Sequence, residues 1–554
     1  MLSDDRFRDF SSASLRKDFI SGITVGIVAI PLGMAFAMAS GVKPEHGIYT
    51  TVFAGLIVAL LGGSRFQIAG PTGAFIPILL AIVLQYGYEK LLVAGFLAGI
   101  MLIVMSFFRL GNLVHYIPRS VVIGFTAGIA VIIFGGQLGN ALGLTGMEKK
   151  EYFHESMLEL YRHLDGMNIY SILTAVIGLL VLLYIPKINP KVPVLLAGLV
   201  IPTVAAMLFF PNQVETIGTS FGGIPQQLPD FQPLDITLKD IGELWQPALV
   251  IAALGAIESL LSAVVADGMT GERHRSNREL FGQGVANLVT PLFGGIPATG
   301  AIARTATNIK SGAASPLSGV IHSAFVLVTL LLLAPYASYI PLAAMAPILM
   351  FVAWNMSEYK AFKQIAKLRT GDSAVLVVTF LLTVFVNLTV AVQAGILLSI
   401  LSFIKKKSSQ LQVERPKQEA FDLTAHFKYK TFSIRGPLFF GTAQALEHAL
   451  SSTMESSPTV IILDMRDITI MDATGEEKLA SFVNKVKKSG GAVLITGLPA
   501  WALTLFQKSG LYEAVGSGNF FSDQDKAIQS LSVFGKNSEN VHSPETFHPG
   551  QTSN

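Results

Sequence analysis

The chain has 554 residues, of which 51% are hydrophobic and 14% charged, with a mean hydropathy of +0.55; soluble domains average about 25% charged residues, so an ordinary soluble protein is excluded. The net charge of +3 is small and spread along the chain, which gives nucleic-acid binding no support, and zero cysteines exclude disulfides and thiolate metal sites. Apolar stretches of membrane-spanning length recur from Ile20 to Ile404, which predicts a polytopic α-helical membrane protein.

Residues 1–18 are charged and amphipathic and lack a short apolar core with a cleavage site, so no cleaved signal is expected. Arg6, Arg8, Arg16 and Lys17 precede the first span, about 20–40, and place the N-terminus on the cytoplasmic side. That span contains Pro31, which removes a helical hydrogen bond, with Leu32 and Phe36 beside the expected bend. A second span, about 47–63, leads to Ala69-Gly70-Pro71-Thr72-Gly73-Ala74-Phe75. There Gly and Pro break the backbone before an apolar run, so an extended lead-in and an abrupt helix start are predicted. A return span reaches Phe108, Arg109, His115 and Arg119 mark the inner side, and 121–139 crosses outward. Residues 147–167 mix acids and bases and read as an external loop or short amphipathic helix. Spans at about 169–185 and 192–210 flank the basic turn Lys187-Ile188-Asn189-Pro190-Lys191. The Pro-rich stretch 211–243, acidic through Asp230, Asp235, Asp240 and Glu243, is the expected outer midpoint.

The second half opens with a span at 246–266 that contains Glu258, followed by a loop holding Arg273, His274, Arg275 and Arg278. A second broken segment follows, Gly294-Gly295-Ile296-Pro297-Ala298-Thr299-Gly300-Ala301-Ile302-Ala303-Arg304, entered from the opposite side to the first. Spans at about 316–334, 341–356, 373–388 and 390–404 complete the half, with basic flanks at Lys360, Lys363, Lys367 and Arg369 and at Lys405-Lys406-Lys407. Opposite entry predicts an inverted repeat of about seven elements per half. Helix starts carry unpaired N–H groups and roughly half a positive charge, so two facing starts would cradle an anion. Irregular backbone at membrane depth is tolerated only inside protein or along a watery cavity, which makes these breaks the candidate binding site.

After Lys407 the composition turns soluble. Strands at 428–434, 459–464 and 491–496 alternate with helices at 442–454, 474–488 and 499–508, the pattern of a small α/β domain. From Lys536 the chain is rich in Ser, Asn, Pro and His, and 536–554 is expected to be a disordered tail.

Four stretches carry a family resemblance: Gln67-Ile68-Ala69-Gly70-Pro71-Thr72-Gly73-Ala74, Ile257-Glu258-Ser259-Leu260-Leu261-Ser262-Ala263, Asp267-Gly268-Met269-Thr270-Gly271 leading into Ser276-Asn277-Arg278-Glu279-Leu280, and Gly295 through Thr305. Together they resemble the SulP family of anion transporters with its cytoplasmic STAS domain. The resemblance implies a transporter domain over 19–407 with about fourteen transmembrane segments, in inverted repeats of about 19–210 and 244–404 with two half-helices. It also implies a cytoplasmic STAS domain over 420–535, a homodimer in the cell membrane, and both termini in the cytoplasm. The anion site it implies comprises Leu32, Phe36, Thr72, Gly73, Ala74, Thr299, Gly300, Ala301 and Arg304.

The threonine hydroxyls can donate to an oxyanion or cap their helices. Arg304 is expected to meet the bound anion, or Glu258 when the site is empty; the alternative is that it snorkels outward near Lys310. Glu258, the only acid in 245–266, is expected to carry a coupling proton; the alternative is a fixed ion pair with Arg304. Sodium-coupled relatives have a second acid where this chain has Ser262, so sodium coupling is not expected. His322 reads as a core residue, and the basic loop at 273–278 as an orientation signal. In the soluble domain, Thr474 of Asp472-Ala473-Thr474-Gly475 is a candidate phosphosite, with N-capping by Asp472 or Thr474 the alternative beside Glu476 and Glu477.

No Ser/His/Asp set, P-loop or metal cluster is present in the sequence, so neither an enzyme nor a cofactor is expected. The expected function is secondary active transport of a small anion, sulfate first, with a proton as co-substrate. Bicarbonate or a C4 dicarboxylate as substrate, and an uncoupled exchanger or channel, are the alternatives.

Overall fold

Ser11 and Ser14 exchange side-chain and backbone hydrogen bonds, Ser14 N to Ser11 Oγ at 3.1 Å and Ser11 N to Ser14 Oγ at 2.8 Å. This capping box starts α1 (Ser12–Ala39) two turns before the apolar run, so Arg16, Lys17 and Asp18 are helical rather than part of a preceding segment. The computed structural model describes residues 5–7, 11–112, 118–189, 192–414, 420–422, 427–451 and 460–538; His115, Pro190, Lys191 and 539–554 of the expected tail lie outside them. Contacts divide the chain into two units, Met1–Ser399 and Ile400–Asn554.

In the first unit, α2 (Pro44–Leu61) begins on a proline, β1 (Ala69–Gly70) and a 3-10 turn (Gly73–Phe75) precede α3 (Ile76–Tyr86), and α4 (Tyr88–Phe107) returns. α5 (Arg119–Gly136) runs into the short α6 (Leu138–Leu142), and the acid-and-base stretch forms the helix α7 (Phe153–Arg162). α8 (Ile169–Ile188), α9 (Val194–Phe209) and the short α10 (Ile217–Phe221) close this half. A Thr237–Asp240 capping box starts α11 (Leu238–Thr270) about two turns earlier than its apolar run predicts. The basic loop then shortens, because α12 (Ser276–Val289) takes in Arg278 and Glu279. β2 (Thr299–Gly300) leads into α13 (Ile302–Lys310), followed by α14 (Leu317–Ala337), α15 (Leu342–Met356), α16 (Tyr359–Lys367), α17 (Gly371–Phe385) and α18 (Leu388–Ser408).

Among the described residues, 8 helices are long and apolar enough to cross a membrane, and Gly73–Tyr86, α9 and α17 are shorter apolar helices; α12, α13 and α15 belong to neither set. The expected inverted repeat appears in the packing partners. α1 packs on α14 as α11 does on α4, α2 on α14 as α12 on α4, and α5 on α17 as α15 on α8. Exchanging the two halves maps the two members of each of these comparisons onto one another. α1, α2, α4, α11, α12 and α14 pack together, with α3 against α1, α4, α11 and α5 and α13 against α1 and α11, while α5, α8, α9, α15 and α17 form a second group.

Lipid offers no hydrophobic drive between helices, so close approach rests on small residues. Gly22 and Gly26 of α1 lie under Ser318, Ile321 and Phe325 of α14, and a Cβ on Gly99 of α4 would stand 2.7 Å from Leu288 N of α12.

The second unit is a sheet in the order β3 (Gln412–Glu414), β5 (Phe427–Leu438), β6 (Val460–Met471), β7 (Ala492–Thr496), β8 (Phe520–Phe521), with β4 (Ala420–Asp422) paired to β5. β5 to β8 run parallel, whereas β3 and β4 run antiparallel to β5. The helices are α19 (Ala443–Ser451), α20 (Ala473–Lys488), α21 (Ala500–Ser509), α22 (Leu511–Val515) and α23 (Gln524–Ser538), so Lys536–Ser538 are helical rather than part of the tail. Alternate β6 residues serve two cores: Ile461 and Leu463 pack with Phe482 and Val483 of α20, Val460 and Ile462 with Ala527 and Leu531 of α23. Burial on both faces is why this strand reads as an unbroken apolar run.

Candidate functional site

Helix-breaking Gly70, Pro71, Pro297 and Gly300 leave two extended segments inside the first unit, and their backbone groups need partners. The segments satisfy one another. β1 pairs antiparallel with β2, Ala69 opposite Gly300 and Gly70 opposite Thr299, and Ala301 N donates to Ile68 O at 2.8 Å. Side chains of the surrounding helices take most of the rest. Ile68 N donates to Thr305 Oγ1 at 3.0 Å, and Gly300 N to Ser259 Oγ at 2.9 Å. Ala298 N donates to Asn287 Oδ1 at 2.8 Å, Ile296 N to Thr50 Oγ1 at 2.7 Å, and Asn308 Nδ2 to Phe66 O at 3.0 Å.

Two ionisable groups converge on this frame. Arg304, 1% exposed, lies in the first turn of α13, whose side chains lean toward the helix start. Its Nη2 donates to Pro71 O, and its Nη1 has no partner among the described residues. Gly70 makes room for it: a Cβ there would stand 2.5 Å from Nη1. Glu258, 8% exposed on α11, accepts from the next residue, Thr72 Oγ1, at 2.8 Å. Thus Arg304 and Glu258 are held at adjacent residues of the first lead-in.

This overturns the ion pair expected in the empty site and two of the alternatives. Arg304 and Glu258 form no ion pair, because each is occupied by a different group of the Pro71–Thr72 turn. Arg304 does not snorkel toward Lys310; it is buried. The Thr299 hydroxyl, fully buried, donates to Gly255 O at 3.1 Å and lies 2.7 Å from Ser259 Oγ. Neither threonine caps a helix with its side chain; the cap positions are Thr72, without a side-chain capping bond, and Ala301.

Of the other expected residues, Leu32 and Phe36 are buried, as are Gly73, Ala74, Gly300 and Ala301. A Cβ on Gly73 would stand 3.0 Å from Met356 Sδ, 3.1 Å from Ile133 Cδ1 and 3.6 Å from Phe36 Cε1, so the first half-helix start faces α1, α5 and α15. A cavity of about 820 Å³ reaches Ile76 and Pro77 of α3, bounded by Ile133, Lys149, Gln246 and Asn387. Lys149 Nζ donates to Met38 O at 2.8 Å at its rim.

Reading the sequence assigned no role to Gln67, Ser259 and Thr305, which brace the two broken segments. Gln67 Nε2 donates to Ser259 O at 3.0 Å, and Ser262 Oγ to Gln67 Oε1 at 3.0 Å. Their signal was available, since polar residues inside apolar spans are costly and kept for a reason. In the second unit, Asp472 caps α20, accepting from Gly475 N at 2.8 Å and Phe440 N at 3.0 Å, while Thr474 is half-buried in the first turn.

The chain matches the sulfate permease family over residues 15–379 and the STAS domain over 421–527. It is 50% identical over 529 residues, 95% of this chain and 99% of the other, to a Bacillus subtilis protein named "Putative sulfate transporter YvdB". It is 27% identical over 573 residues, 96% of this chain and 98% of the other, to the bicarbonate transporter BicA of Picosynechococcus sp.. In fold it is similar to the murine Slc26a9 anion transporter in its inward-facing state, with a TM-score of 0.82 at 19% identity over 96% of this chain and 93% of that one.

Proposed function

The chain belongs to the sulfate permease family and carries a STAS domain, and from that premise we propose that it is a proton-coupled importer of a small oxyanion, sulfate first, across the cell membrane with both termini in the cytoplasm. Relatives named for sulfate and for bicarbonate transport support membrane anion transport as the broader activity. The observation that carries the finer reading is the convergence of a buried cation and a buried carboxyl on Pro71 and Thr72. Arg304 Nη1, the half-helix starts at Gly73 and Ala301, and the apolar wall of Leu32 and Phe36 would hold the anion. Glu258 would take the proton.

The reading is tested with purified protein in liposomes, following labelled sulfate with bicarbonate, oxalate and C4 dicarboxylates as competitors. Sulfate should accumulate under an inward proton gradient and not under a sodium gradient. Uptake that only equilibrates, whatever the gradient, would make the protein an uncoupled exchanger or channel.

Gly70 provides a finer probe. Gly70→Ala should push the Arg304 guanidinium aside, because a Cβ 2.5 Å from Nη1 meets the movable end of a long side chain rather than backbone. Loss of one charged hydrogen bond, about 1.5–3 kcal/mol, predicts sulfate binding about 10- to 100-fold weaker, and the φ of +158° at Gly70, strained for any residue with a Cβ, predicts a lower melting temperature as well. Unchanged affinity would remove Arg304 from the binding site.

A further inference from the structure

His322 on α14 is 0% exposed, and neither of its ring nitrogens has a hydrogen-bond partner among the described residues. A buried polar group without a partner costs about 1–3 kcal/mol, so filling space does not explain an imidazole here. Its position does. A Cβ on Gly55 of α2 would stand 3.4 Å from His322 Cδ2 and 3.5 Å from Ala69 O, which sets the ring beside β1. The next residue, Gly70, is the one that borders Arg304 Nη1, the other buried polar group without a partner at this strand.

Other charged groups on the helices packed against α14 are engaged elsewhere or distant. Asp18 on α1 accepts from Ala314 N, Ser315 N and Ser315 Oγ. Glu45, His46 and Tyr49 lie in the first turns of α2, with His46 2.7 Å from Gly294 O; His46 and Gly55 are about 13 Å apart at 1.5 Å per residue. Arg304 is the charged group that shares β1 with His322, His322 lying by Ala69 O and Arg304 by the next residue, Gly70.

We propose that His322 is a second proton-carrying residue of the transport site, so that a divalent oxyanion crosses with two protons, one on Glu258 and one on His322. The proposal rests on the proton-coupled reading above. The guanidinium of Arg304 opposes a second positive charge on the imidazole. A divalent anion at Arg304 reverses the local sign, and a proton from the loading side then binds a free ring nitrogen. When the anion departs on the far side, the proton follows it into solution. Two protons with a divalent anion make the cycle electroneutral.

The test uses the full chain in liposomes, with sulfate as the probe and potential set by potassium and valinomycin. Wild-type uptake under a fixed pH gradient should not change with potential. His322→Gln should carry sulfate with one proton and one net negative charge, so that its accumulation falls by up to about 50-fold when the interior is about 100 mV negative. If His322→Gln is as indifferent to potential as wild type, or if wild type itself responds like the variant, the proposal is overturned. Should His322→Gln fail to fold, His322→Asn is the second variant, and the wild type is read directly as protons taken up per sulfate bound in detergent. Two protons are expected, and one overturns the proposal. Wild-type uptake indifferent to the pH gradient would instead overturn the proton-coupled reading beneath it.

Discussion

Glu258→Gln should abolish accumulation driven by a pH gradient while leaving anion binding in place. The argument turns on Thr72, whose hydroxyl has one proton and donates it to Glu258 Oε2 at 2.8 Å. An anion at the start of the first half-helix competes for that donor. When Thr72 turns to the anion, the carboxylate loses its hydrogen bond and a proton from solution takes its place. By linkage, acidifying the loading side then tightens anion binding and drives uptake. Glutamine keeps the shape of the side chain and an oxygen that can accept from Thr72, so the Pro71–Thr72 turn should hold, but it cannot release a proton. Accumulation should fall to simple equilibration, with downhill exchange remaining. Variant liposomes that concentrate sulfate as wild type does under an inward proton gradient would reduce Glu258 to a structural partner of Thr72.

Arg304→Ala should weaken sulfate binding by about 10- to 100-fold, the value of a hydrogen bond to a charged group, and should weaken binding of a monovalent anion less. Coulomb energy scales with the charge of the ligand, so a site that works through this cation discriminates by valence. Arg304→Lys should restore only part of the loss. A guanidinium can hold Pro71 O with Nη2 while offering Nη1 to a ligand, whereas an ammonium on a flexible stem has no such fork. Calorimetry with sulfate and chloride, alongside melting curves to establish folding, reads both effects. Equal losses for the two anions would place Arg304 outside the pocket.

Much of the fold was legible because its signals are local. Unbroken apolar runs, basic flanks and two Gly/Pro interruptions mark spans and breaks whatever surrounds them, and the strand–helix alternation after Lys407 needs only neighbouring residues. Helix starts were misjudged where hydrophobicity and capping disagree. α1 and α11 begin at their capping boxes, two turns ahead of the apolar residues that reveal them. An apolar run reports which residues meet lipid or core, whereas the start of a helix is decided by hydrogen bonds to its first N–H groups.

The candidate site divides in the same way. Sequence by itself determined which residues are chemically out of place in a membrane: Arg304, Glu258, and the polar side chains of the two broken segments. It also carried the expectation that the two breaks are entered from opposite sides. Which groups meet was decided by tertiary structure. Opposite charges on Arg304 and Glu258 suggested an ion pair in the empty site, yet the crossing of β1 with β2 brings the backbone of Pro71 to one and the hydroxyl of Thr72 to the other, and each charge takes that partner. Thr299 is consumed by Ser259 and Gly255, and His322 is set beside β1 without a partner among the described residues, through contacts between residues far apart in the chain. A hydrogen bond depends on position to a fraction of an ångström, and such positions arise only when distant segments have packed.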